Sequence, residues 1–262
     1  MRTIILLSAL ALTVLSCETT PTVTETVSLT PAELNPPAEG FNATDSDVRA
    51  IEIADSVVWA HGGRVAYDNT RYFQWNFFGV RTLTWDKQEE KVRIDFPGKK
   101  ATYLLDYTDM TGRVFIDSTE LVAPDSITKY LKQAHSIWIN DSYWLVHQFK
   151  LKDSGVTLKY VDKTPVDPQA ARPSYIIDQT FAAVGDTPNN RYRLYIDQET
   201  FRINTWQFFR DAADEEVSME TPWQGYNAYN NGLQLSADRS GRFQLLDIST
   251  PEEMDKRVFL EM

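Results

Sequence analysis

The chain has 262 residues, with 26 basic residues against 37 acidic ones, 42% hydrophobic and 12% aromatic content, one cysteine and only 11 glycines. This composition excludes collagen-like, disulfide-stapled and wholly disordered proteins, because its 32 aromatic residues can build a sizeable core. A net charge of −11 without any Lys/Arg-rich run also argues against nucleic acid as a partner, since phosphates must be neutralised by basic side chains.

Met1-Arg2-Thr3 supplies a positive amino end, and Ile4 to Val14 forms an apolar stretch of signal-peptide length. That stretch is too short for a bilayer, which needs ~20 apolar residues. Val14-Leu15-Ser16-Cys17 follows, with a small residue directly before the only cysteine. It resembles a bacterial lipoprotein lipobox, although Leu15 is bulkier than the usual residue there. The resemblance implies acylation of Cys17, cleavage before it and a lipid anchor. An ordinary secretory signal is the alternative, but it would leave one free thiol in an oxidising compartment. Cleavage would leave 25 basic residues against 37 acidic ones, so acyl chains rather than charge would hold the protein on a membrane.

Glu18 to Ala43 carries Pro21, Pro31, Pro36, Pro37 and six threonines. Such a segment buries too little apolar surface to offset its ordering entropy, so a flexible tether is expected over 18–44. A single domain is expected over 45–262.

Thr44-x-x-Asp47 has capping-box spacing, and Val48, Ile51, Ala54, Val57 and Val58 recur at helical intervals until Gly62-Gly63, which predicts a helix over 46–60. Alternation then predicts strands over Tyr72–Phe78, Arg81–Trp85, Val92–Phe96, Ala101–Tyr107 and Arg113–Asp117. After Pro124-Asp125, the residues Ile127, Tyr130, Leu131, Ala134, Ile137 and Trp138 form one apolar stripe, predicting a second helix. Further strands are predicted at Ser142–Leu151, Val156–Val161, Tyr175–Phe181, Arg191–Asp197, Phe201–Phe209, Gly232–Ala237, Arg242–Ile248 and Arg257–Leu260. Short turns such as Asp153-Ser154-Gly155 and Asn230-Asn231-Gly232 force antiparallel neighbours. The fold class is therefore mainly β (α+β). A curved antiparallel sheet or half-open β-barrel of about 11–12 strands is expected, with two helices covering its concave face.

No Gly-rich phosphate loop, G-x-S-x-G elbow or H-E-x-x-H helix is present, so no catalytic residue, metal ligand or cofactor is implied. His61, His135 and His147 have no spacing that suggests zinc or a nucleophile's base. Asn140-Asp141-Ser142 and the segment Gly185 to Asn190 offer oxygen ligands but no EF-hand loop, and Asx turns account for them. The aromatic residues stand out. Several strands place aromatics on both faces, which points to a cavity for an apolar ligand lined by Phe73, Trp75, Phe77, Trp85, Tyr103, Trp138, Trp144, Trp206 and Phe208. A solid aromatic core is the competing explanation.

Three blocks carry a family likeness: Ser136 to Tyr160, Arg81 to Lys87, and Val184 to Tyr192. They resemble a family of uncharacterised lipoproteins from Bacteroidetes-type bacteria, which in turn is distantly similar to the LolA/LolB-like periplasmic lipoprotein carriers. The resemblance implies a half-open β-barrel closed by helices over an apolar cavity that accepts acyl chains. It further implies a place in the cell envelope, lipid-anchored and facing the periplasm from the outer membrane, with a lipid and another envelope protein as partners. Two other functions remain open: an envelope hydrolase or carbohydrate-active protein using a carboxylate pair, and a non-catalytic adaptor whose aromatics fill the core.

Overall fold

The computed structural model describes residues 30–161, 166–182, 187–241 and 243–262. Cys17 and the leader lie outside the described residues, as do the segment 183–186 and Arg242.

Three helices precede the first strand: α1 (Pro31–Leu34), α2 (Val48–Ala60) and α3 (Arg64–Asn69). The predicted first helix is α2, which buries Ala50, Ile53, Ala54, Val57 and Val58 against the body of the protein. Residues 30–43, expected within the tether, are instead docked. A capping box between Thr30 and Glu33 starts α1, and α1 packs on α2. The Asn35 amide donates to Asp55 at 2.8 Å, and Lys152 pairs with the same carboxylate at 2.5 Å. Composition pointed to disorder because the segment has few apolar residues; buried polar pairing and main-chain hydrogen bonds order it instead.

A meander follows: β1 (Tyr72–Phe77), β2 (Arg81–Asp86), β3 (Lys91–Phe96), β4 (Ala101–Asp106), β5 (Thr111–Ile116) and the short β6 (Thr119–Glu120). The main helix α4 (Pro124–Val146) comes next, then a 3-10 turn at His147–Phe149. A second meander contains β7 (Val156–Tyr160), β8 (Ser174–Phe181), β9 (Arg191–Asp197), β10 (Ile203–Phe209) and β11 (Met219–Pro222). The hairpin β12 (Gln224–Ala228) and β13 (Gln234–Asp238) and the strand β14 (Leu245–Ser249) complete the described strands.

These strands form a curved seven-stranded antiparallel sheet in the order β14-β1-β2-β3-β4-β5-β6 and a five-stranded sheet in the order β11-β10-β9-β8-β7. The mainly β, half-open architecture expected from the sequence is present, and among the described residues no barrel closes. The hairpin β12-β13 forms a small sheet of its own, and β14 returns from the end of the chain to pair with β1. The helix α4 lies across β4 and β5, whereas α2 packs on β7 and the 3-10 turn.

Alternation builds the inner face of the larger sheet. Cross-strand pairing sets Trp75, Leu83, Ile94, Tyr103 and Val114 in one row, and Phe73, Trp85, Val92, Leu105 and Gly112 in the next. All the side chains in these rows are buried, so this is the solid core, and α4 covers it. Gly112 allows the helix to approach: a Cβ there would lie 3.1 Å from Leu131 Cδ2 and 1.9 Å from the Leu104 carbonyl oxygen. The opposite face is covered by the C-terminal segment, where Phe259 stacks on Tyr72 at 6.4 Å and Arg93 donates to the carbonyls of Val258 and Glu261.

Two predicted strands are not strands. Ser142–Leu151 continues α4 to Val146 and then forms the 3-10 turn, which also removes His147 from a strand. Trp144, Leu145 and Val146 are all buried where the helix end meets both sheets. A short apolar run of this kind has no period of its own and takes the conformation its neighbours impose. Arg257–Leu260 is a 3-10 turn at Lys256–Phe259, set up by the Asp255 carboxylate, which accepts from the Arg257 amide. Among the described residues, no helix is long and apolar enough to cross a membrane.

Candidate functional site

A cavity of about 480 Å³ opens between α4 and the five-stranded sheet. On the helix side it is lined by Trp138, Ile139, Tyr143 and Trp144, with Ser136, Asn140 and Ser142 between them. Four of these positions, 136, 139, 140 and 143, fall on one stripe of α4. On the sheet side the walls are Phe181 of β8, Tyr192 of β9 and Trp206 of β10. Their register gives them a common face, because Gln179 lies opposite Tyr192, Tyr192 opposite Phe208, and Leu194 opposite Trp206. Residues two apart along each strand then point the same way. Lys150, Asp153, Ser154 and Thr187 complete the lining.

The aromatic walls hold one another. Trp144 meets Trp206 at 4.9 Å between ring centroids, Trp206 stacks on Tyr192 at 5.1 Å, and Tyr143 stacks on Tyr192 at 6.1 Å. Trp138 marks the boundary with the core: it stacks on Tyr107 at 4.0 Å and meets the edge of Trp85 at 5.7 Å. Such pairs favour offset or edge-on geometry and stiffen the surface offered to a ligand.

Polar groups fix α4 in place. Arg81 grips Asp141 through two hydrogen bonds, Nε to Oδ2 at 2.7 Å and Nη2 to Oδ1 at 2.6 Å, tying the C-terminal part of α4 to β2. Burial raises the Asp141 carboxyl above the usual carboxylate range, and the Arg81 guanidinium opposes that shift. The buried Arg239 donates to the Trp144 carbonyl at 2.6 Å and to Ser236 Oγ at 2.6 Å, and lies 3.4 Å over the Trp223 ring. Burial pulls its pKa down to about 9. A cation at the last turn of α4 also complements the partial negative charge of the helix end.

Both buried histidines serve the framework. His147 Nε2 lies 2.5 Å from Gln179 Oε1, while the Gln179 amide nitrogen donates to the Lys150 carbonyl, so the histidine donates. His61 Nδ1 lies 2.6 Å from the Val57 carbonyl oxygen and Nε2 is 3.1 Å from the Tyr226 hydroxyl. Burial pushes both pKa values down to about 4. No group of three or more His, Cys, Asp or Glu side chains among the described residues could hold a metal ion. Asp153 is the one acid in the cleft lining, and it is paired with Lys150 at 2.8 Å. The carboxylate pair that the hydrolase alternative requires does not face this cleft.

The nine aromatics singled out from the sequence fall in three places. Trp138, Trp144 and Trp206 line the cleft. Phe73, Trp75, Phe77, Trp85 and Tyr103 are buried in the core of the larger sheet. Phe208 is half-buried beside Tyr192, 5.5 Å away, and outside the lining. Ile139, Tyr143, Phe181 and Tyr192 were not singled out. The helical stripe through 136, 139 and 143 becomes visible only once 142–146 is read as helix, and Phe181 and Tyr192 meet only through strand register.

No family model matches the chain, and no curated protein sequence matches it. Among solved structures, the chain is similar to a DUF1329 family protein from Desulfovibrio piger ATCC 29098, at 11% identity over 80% of this chain and 96% of that one, with a TM-score of 0.44. It is also similar to an outer membrane lipoprotein-sorting protein domain from Vibrio parahaemolyticus, at 6% identity over 79% and 97% of the two chains, TM-score 0.37. MucB is similar at 14% identity over 76% and 66%, TM-score 0.24.

Proposed function

We propose that this protein is a lipid-anchored envelope protein that holds an acyl chain or other apolar molecule in the cleft between α4 and the five-stranded sheet. The observation that carries this reading is the cleft itself, about 480 Å³ with Trp138, Ile139, Trp144, Phe181, Tyr192 and Trp206 on its walls. That volume falls in the ~300–1,000 Å³ range of small-molecule sites, which combine apolar walls with a few polar groups. Each methylene buried there contributes about 0.8 kcal/mol, so an eight-carbon chain gains roughly 6 kcal/mol before ordering costs are subtracted. In this reading Cys17 carries the anchor, α4 is the cover, and a second envelope protein supplies or receives the ligand.

The test is native mass spectrometry with lipid extraction, paired with titration of a fluorescent fatty-acid probe. The protein should carry lipid or bind the probe. Ile139→Glu, a half-buried cleft position outside the solid core, should abolish binding while leaving the thermal transition in place. Absence of lipid and of probe binding in the unaltered protein would overturn the proposal.

A further inference from the structure

The cleft lining carries two charged side chains, Lys150 and Asp153, whose Nζ and Oδ2 are 2.8 Å apart. Lys150 also lies over the Tyr143 ring, 5.3 Å from its centroid. Neither charge is spent. The two side chains are 24% and 31% exposed; an ammonium has three donors and a carboxylate about four acceptor sites, and their mutual contact uses one of each.

We propose that the cleft's ligand is a zwitterionic amphiphile, with its phosphate beside Lys150, its ammonium beside Asp153 and its acyl part along the aromatic walls. This rests on the reading of the cleft as an acyl-chain site. The choice of head follows from charge complementarity. An anionic head would gain Lys150 but face Asp153 in a chain of net charge −11, and a cationic head would face Lys150. A head carrying both signs a few ångströms apart satisfies the pair without leaving either member desolvated and unmatched.

The N-terminal segment stiffens the chain around these two charges. The Gly155 amide donates to the Gly40 carbonyl at 2.8 Å, the Ala38 amide to the Lys152 carbonyl at 3.0 Å, and the Asn42 amide to the Val156 carbonyl at 3.0 Å. Gly40 has a φ of +81°, and a Cβ there would meet Ser154 Oγ at 2.6 Å. Residues 38–42 are therefore laid along the segment 152–156 that carries Asp153 and Ser154.

The experiment titrates the Cys17→Ser protein with dioctanoyl phosphatidylethanolamine, dioctanoyl phosphatidylglycerol and dioctanoylglycerol, which share their chains and differ in the head. Calorimetry should show the zwitterion binding at least tenfold tighter than the other two. Lys150→Gln and Asp153→Asn should each remove that preference, leaving dioctanoylglycerol affinity within twofold, and the exchange Lys150→Asp with Asp153→Lys should restore part of it. Equal affinity for the three lipids, or a preference unchanged in both single variants, would overturn the assignment while the acyl-chain site stands. No binding of any of the three would instead overturn the acyl-chain site itself.

Discussion

Lowering the pH from 7 to 5 should destabilise the protein through two buried histidines. His61 and His147 are 0% and 1% exposed, and burial lowers each pKa from 6.5 to about 4 in the folded state. Above pH 6.5 both rings are neutral whether the chain is folded or not. Below it the unfolded chain binds protons that the folded chain refuses, so stability is present above 6.5 and is lost progressively as pH falls toward about 4. Each pKa unit corresponds to 1.36 kcal/mol, so at pH 5 each histidine costs about 2 kcal/mol and the two together about 4. That is a large share of the ~5–15 kcal/mol typical of a folded domain. Burial dominates, and hydrogen bonds partly oppose it: the Val57 carbonyl favours a charged His61 more than Arg202 disfavours it, and Gln179 and Asp153 favour a charged His147 against Lys150 and Arg239. Asp141, whose pKa burial raises, acts in the opposite sense as its carboxyl begins to take up a proton. Urea unfolding at pH 7, 6 and 5 measures the slope, with a constant m-value confirming that the unfolded state is unchanged. His61→Asn and His147→Gln retain a side-chain donor without titrating, and each should flatten the slope by about half. A stability that is flat between pH 7 and 5, or a slope unchanged in the double variant, would refute the argument.

Two substitutions test how α4 is held. Gly112→Ala places a Cβ 1.9 Å from the Leu104 carbonyl oxygen and against Leu131, so it should cost about 1–3 kcal/mol or more, read as a lowered urea midpoint. Arg81→Met strands the fully buried Asp141 carboxylate without its partner, which should cost about 3–5 kcal/mol, whereas Arg81→Met with Asp141→Leu should recover most of it. If the single and double variants are equally unstable, the ion pair does not hold the helix.

The inner face of the larger sheet was readable from alternation alone. Phe73, Trp75 and Phe77, then Leu83 and Trp85, then Val92, Ile94 and Phe96 are all buried on β1 to β3 as the period of two requires. The candidate site was less legible. Trp138, Trp144 and Trp206 stood out by residue type, but so did Trp75 and Trp85, which fill the core. An aromatic side chain carries no local mark that separates a wall from a filler, because that depends on whether another element covers it. Tyr192 reaches the cleft through its register with Phe208 and Gln179, and Lys150 reaches it through the turn that ends α4. Both are relations between segments distant in the chain.

Local chemistry therefore determined a good deal. Apolar periodicity set α2, the start of α4 and most strands, and turn residues made the neighbours antiparallel. Tertiary structure decided the rest. It extended α4 through Val146, where two sheets bury three successive apolar residues. It docked residues 30–43, whose ordering rests on Asn35, Asp55 and Lys152 meeting in the interior. It also divided the 12% aromatic content between a packed core and an open cleft. The physical reason is common to all three. Periodicity and turn preference are properties of a few adjacent residues, whereas burial, ion pairing and empty space exist only between elements that the chain brings together.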